Sequence, residues 1–142
     1  MIVVGVDGSD GAAKALEFAA TEAALREAPL RIVSAWAVPV VRYTAPPGFA
    51  FPLDAETLEA FRVAAQEIAD VAMARVNELR PSLQVEADAA QGQAADVVLE
   101  QGADAELIVV GRRGLGGFKS LLLGSVSQQV VQHATCPVVV VG

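Results

Sequence analysis

The chain has one cysteine and one histidine in 142 residues, and each scarcity closes off a class of chemistry. Cys136 alone forms no internal disulfide, which fits a reducing compartment. Standing before Pro137 and four valines, it reads as a packed thiol rather than a nucleophile. His133 alone offers no zinc spacing, and near the end of the last expected helix it reads as a packing and capping residue. Long hydrophobic runs are missing too. The apolar fraction of 54% comes mostly from alanine and valine, and no run approaches the roughly 20 residues needed to span a bilayer. Asp7 and Asp10 interrupt the amino-terminal stretch, which has neither the basic region nor the apolar core of a signal peptide, so a cytoplasmic location is expected. A basic stripe is lacking: 10 Lys+Arg stand against 17 Asp+Glu, a net charge of −7, which argues against a nucleic-acid surface.

Familiar catalytic and nucleotide signatures are absent as well. Gly5-Val6-Asp7-Gly8 after the first strand lacks the Gly-x-Gly-x-x-Gly of dinucleotide binders. Gly117-Phe118-Lys119-Ser120 resembles a P-loop only superficially, because Phe118 separates glycine from lysine. There is no Gly-x-Ser-x-Gly nucleophile elbow. The last absence is regional: no acid follows Glu106. Residues 107–142 hold Arg112, Arg113 and Lys119, a net of +3, which leaves −10 for residues 1–106. An anion would be repelled by most of the chain and tolerated near these three cations.

What is present there is a strand, a glycine-rich loop and a helix. The apolar run Leu107-Ile108-Val109-Val110 reads as a buried parallel strand, and residues from Val126 to Ala134 read as a short helix. Such a loop offers backbone N–H groups and a positive helix end to a phosphate. Gly111, Gly114, Gly116 and Gly117 are expected to allow left-handed turns and close approach to a ligand. Ser125 opens a Ser-x-x-Gln box with Gln128, so it is expected either to cap the helix or to donate its hydroxyl to the ligand.

The rest of the chain alternates in the same way. Ile2–Val6 is a strand, and Ser9 caps a helix from Asp10 to about Glu27 with Leu16, Ala19, Ala20 and Ala23 on its core stripe. Leu30–Trp36 is a second strand. Residues 37–54, rich in proline, read as a functional cover or a disordered segment. Asp54 caps a long helix whose core stripe is Leu58, Phe61, Ala65, Ile68, Ala72, Val76 and Leu79. Residues 83–89 alternate apolar and polar, which places that strand at a sheet edge. A third helix spans 92–102, and Val138–Val141 is the last strand. No internal repeat or linker appears, so residues 1–142 form one expected domain. Five strands alternating with four helices predict a doubly wound α/β fold with a parallel sheet and helices on both faces.

The spacing Gly111, two residues, Gly114, nine residues, Gly124-Ser125 resembles the ATP-binding signature of the universal stress protein family. The flanks Leu107–Gly111 and Gln132–Val140 and the opening Ile2–Ser9 resemble it too, so the likeness covers essentially the whole chain. It implies a Rossmann-like sheet, akin to the adenine nucleotide alpha hydrolases, in strand order 3-2-1-4-5. The first and fourth strands then flank the switch point where ligands of such sheets bind. It also implies that Asp7 meets the ribose and that Ala35-Trp36 contacts adenine. The residues assigned to the nucleotide are Asp7, Gly8, Ala35, Trp36, Gly111, Arg112, Gly114, Gly117, Gly124, Ser125 and Val126. The ligand is ATP, or ADP or AMP, with Mg2+ as an optional companion.

Phosphoryl transfer needs placed metal ligands and a group that orients the attacking atom, and Asp7 is the one candidate carboxylate. The expectation is therefore a nucleotide-binding regulator or sensor of stress, with at most slow ATP hydrolysis and no assigned catalytic or metal-ligating residue. A protein–protein module without nucleotide and a flavin or electron-transfer domain are the alternatives. Val138–Val141 would be an uncharged edge, which soluble proteins cover. For that cover the resemblance implies a second copy of the chain, a homodimer joined through residues 137–141.

Overall fold

The computed structural model describes residues 1–37, 54–115 and 122–142. The proline-rich segment expected as a cover, and Gly116, Gly117 and Lys119 of the glycine loop, lie outside the described residues. Strand β1 (Ile2–Val6) is followed by α1 (Asp10–Leu25), β2 (Leu30–Trp36), α2 (Ala55–Leu79), β3 (Val85–Gln91), α3 (Ala94–Gln101), β4 (Leu107–Gly111), α4 (Ser125–His133) and β5 (Val138–Val141). All neighbouring strands run parallel, in the order β3-β2-β1-β4-β5.

Two hydrophobic clusters explain the apolar runs. Ile2, Val4, Leu107 and Val109 pack with α1 and α2 on one face, while Val3, Ile108 and Val110 pack with α3 and α4 on the other. Strands β1 and β4 are covered on both faces, so alternation would leave polar groups buried, and none is present. Buried Ala12, Ala15, Ala19, Ala20 and Ala23 bring α1 close to the sheet. In α2 the buried positions are Ala65, Ala69, Ala72 and Val76, whereas Leu79, expected on the stripe, is exposed at the helix end.

Helix ends differ from expectation where backbone geometry intervenes. Helix α1 stops at Leu25 because Glu27 takes φ 52°. Its N–H and that of Ala28 return to the carbonyls of Ala24 and Ala23, a Schellman closure. Strand β3 runs on to Gln91, and Gly92, with φ 149°, makes the turn into α3 instead of joining it. Helix α4 starts at Ser125, so Gly124 is the N-cap.

Candidate functional site

The carboxyl ends of β1 and β4 and the amino ends of α1 and α4 enclose a cavity of about 420 Å³, within the usual size of a small-molecule site. It has two unlike ends. Gly5, Val33, Ala35, Ala94, Val98, Val110 and Val126 make one wall apolar, while Asp7, Ser9, Arg113, Gly114, Gly124, Ser125 and Ser127 line the rest with Val6, Ala12, Gly111 and Leu115.

Asp7 organises one side. Its Oδ1 accepts from the Ser9 amide at 3.0 Å and the Ser9 hydroxyl at 2.6 Å, and its Oδ2 accepts from the Leu115 amide at 3.1 Å. A carboxylate offers about four acceptor directions, and the contacts among the described residues take three of them. The Ser9 hydroxyl in turn accepts from Ala12 N at 3.2 Å, which caps α1. Gly8 supplies the turn between them with φ 79°, a conformation that any side chain would strain.

The amino end of α4 is built differently. Gly124 has no side chain to cap it, and no acid stands in the first turn. The Gly124 amide donates to the Arg112 carbonyl at 2.9 Å. The amides of Ser125, Val126 and Ser127 meet no acceptor among the described residues, as the first turn of a helix leaves its donors unless something caps them. Ser125, Val126, Ser127 and Arg113 all line the cavity, so the positive end of the helix borders it.

Gly111 and Gly114 are required for space rather than for left-handed backbone. Gly111, Gly114 and Gly124 are not among the glycines with positive φ. A Cβ on Gly114 would stand 2.2 Å from Asp7 Oδ2, and one on Gly111 would stand 2.7 Å from the Gly11 backbone. Gly111 lets the end of β4 press against the first turn of α1, and Gly114 lets the loop reach Asp7.

Of the residues assigned from the sequence, the cavity brings together Asp7, Ala35, Gly111, Gly114, Gly124, Ser125 and Val126. Three stand outside its lining. A Cβ on Gly8 would face Ile68 of α2. Trp36 ends β2 with its carbonyl taken by the Gly92 amide at 2.9 Å. Arg112 turns toward Gly142 at the end of β5 and serves through its backbone, while its neighbour Arg113 lines the cavity. Gly117 lies outside the described residues. Ser125 corrects the capping expectation: it is the first helical residue, and α4 has no side-chain cap. Ser127, which the sequence reading passed over, is 1% exposed and bonds both ends of the loop. A serine three residues after a glycine cap was the available signal. His133 is exposed at the last turn of α4 and Cys136 is half-buried, its Sγ 3.8 Å from the Gly102 carbonyl. Neither lines the cavity.

The comparisons agree over the whole chain. A family model described as the universal stress protein family matches residues 1–142. A universal stress protein of Thermus aquaticus is 38% identical over 142 residues, covering 99% of this chain and 96% of that protein. One of Mycobacterium tuberculosis is 34% identical over 139 residues, covering 98% of this chain and 47% of that protein, so the chain spans about half the length of this relative. Among solved structures, UspA from Lactobacillus plantarum has the same fold at a TM-score of 0.80 and 24% identity, covering 99% of this chain and 96% of that one. A universal stress protein in complex with cAMP matches at 0.73 and 27%, with coverage of 99% and 95%. One from Archaeoglobus fulgidus in complex with dAMP matches at 0.65 and 25%, with coverage of 99% and 96%.

Proposed function

The chain belongs to the universal stress protein family, and from that premise we propose that it binds an adenine nucleotide in the crevice between β1 and β4 and acts as a nucleotide-dependent regulator or sensor in a stress response. The observation that carries the reading is the two-ended cavity. Its apolar wall of Val33, Ala35, Val98 and Val126 suits the faces of a purine, and the unclaimed amides of α4 suit a phosphate. The fourth acceptor direction of Asp7 suits one sugar hydroxyl. Relatives that carry cAMP and dAMP support the same ligand class.

ATP, ADP and AMP share the adenosine and the first phosphate that this site addresses. Among the described residues no group of three or more His, Cys, Asp or Glu is placed to hold a metal, so Mg2+ would enter on the phosphates of ATP. When bound there it would neutralise phosphate charge, and the chain's own part would be Asp7 at the sugar and the α4 amides at the first phosphate. Asp7 is the one carboxylate among the described lining residues, and three of its acceptor directions are committed to Ser9 and Leu115. That favours holding the nucleotide over turning it over. A cytoplasmic location fits a nucleotide sensor, and among the described residues no helix is long and apolar enough to cross a membrane.

The partner is a second copy of the chain. Among the described residues strand β5 pairs only with β4, carries four half-buried valines and has no charge, while the opposite edge strand β3 carries Glu86 and Asp88. An unprotected apolar edge is a pairing surface, and a two-fold axis lets β5 meet itself. Val140→Lys should convert the dimer to monomer or aggregate in sedimentation at micromolar concentration; a monomeric wild type contradicts the dimer.

The nucleotide reading is tested by mass spectrometry of the small molecule released from freshly purified protein, with calorimetric titration of AMP and ATP. An adenine nucleotide released, or micromolar binding, is expected. Protein that releases none and binds neither overturns it.

A further inference from the structure

We propose that the Ser127 hydroxyl is the positioning group of the phosphate site, holding the two legs of the glycine loop at the distance the ligand needs. The loop leaves β4 at Arg112 and returns to α4 at Gly124. Ser127 Oγ lies 2.9 Å from the Arg112 carbonyl and 3.0 Å from the Gly124 carbonyl, so its single proton is shared between the two legs. The Arg112 carbonyl also accepts from the Gly124 amide at 2.9 Å. Ser127 is 1% exposed, which removes water as a competitor for these bonds and makes their loss felt.

From the other side the outgoing leg is pressed by α1. A Cβ on Gly11 would come within 2.4 Å of the Arg113 carbonyl. The leg is thus clasped between a glycine notch on α1 and a hydroxyl on α4, and both halves of the clasp are made by the chain itself. Its consequence is preorganisation: the amides of Ser125 and Val126 stand at a set distance from Gly114 before a phosphate arrives, so their ordering is not charged against binding. Neither the Ser127 hydroxyl nor Gly11 has to touch the nucleotide for this. The clasp bears mainly on the phosphate end, because the apolar wall is built from β1, β2, α3 and β4 with Val126 its single residue from α4.

The inference rests on the nucleotide reading above, and the test separates the two. AMP and adenosine are each titrated calorimetrically into wild type, Ser127→Ala and Gly11→Ala. Ser127→Ala is expected to weaken AMP about tenfold, the scale of one hydrogen bond, and adenosine less than about twofold. Gly11→Ala, which displaces the same leg from the opposite side, should show the same selective loss. Either folded variant binding AMP as wild type does, or losing AMP and adenosine equally, overturns the clasp while leaving the site assignment standing. Wild type that binds neither ligand overturns the nucleotide reading and the clasp with it.

Discussion

Two helix ends face one crevice, and among the described residues only one of them has a side-chain cap. At α1, Ser9 accepts from Ala12, Asp7 accepts from Ser9, and Asp10 stands in the first turn. At α4 the cap is a glycine, the first turn has no acid, and the amides of three cavity-lining residues have no acceptor among the described residues. The dipole and the orphan donors are alike in both helices. What differs is whether the sequence provides the anion. Where it does, the end is a structural joint; where it does not, the end is the one we propose for the nucleotide's phosphate.

The sharpest way to break this contrast is to finish α4 as α1 is finished. Gly124 has φ −77° and room of about 3.4 Å around a Cβ, so aspartate fits there and accepts from the first turn. Gly124→Asp is expected to weaken AMP binding by at least about 100-fold, through lost donors and added charge, with no fall in melting temperature. Calorimetry beside thermal denaturation checks both halves; unchanged affinity would mean that the open end is not the phosphate site. A smaller effect follows from removing the anion of the other end. Asp7→Ala frees Leu115 and loses the sugar acceptor, so AMP should weaken about tenfold to thirtyfold and the Leu115 amide should lose hydrogen-exchange protection. Least of all, Ser9→Ala uncaps α1 and should act mainly on stability, by about 1 kcal/mol. That corresponds to roughly 3 °C in a chain of this size, with a smaller change in AMP affinity than Asp7→Ala causes. A larger affinity loss than in Asp7→Ala would show that α1 also serves the ligand.

Much of this frame is legible in the sequence, because pattern and burial speak the same language. The unbroken apolar runs of β1 and β4 identify strands covered on both faces, and the alternation around Val85 identifies the edge strand. Glycine spacing locates the loop. The reasons for the glycines are not legible. Gly114 is glycine because Asp7 lies 2.2 Å from where its Cβ would be, a contact between residues about a hundred positions apart that only the folded sheet creates. One-residue choices are lost for the same reason. Arg112 and Arg113 are chemically identical in the sequence, and the register of the turn after Gly111 decides which one lines the cavity. Ser125 and Ser127 divide on the position of the helix start, where pattern is weakest.

The central claim, that α4 is open for a phosphate, is tested most directly by amide chemical shifts. AMP and adenosine are titrated separately into isotopically labelled protein, and the resonances of Ser125, Val126 and Ser127 are followed. The account predicts large shifts in these amides with AMP and small ones with adenosine, while Ala12, whose amide already has a partner in Ser9, moves little with either. Equal shifts with both ligands, or larger AMP shifts at α1 than at α4, would contradict it.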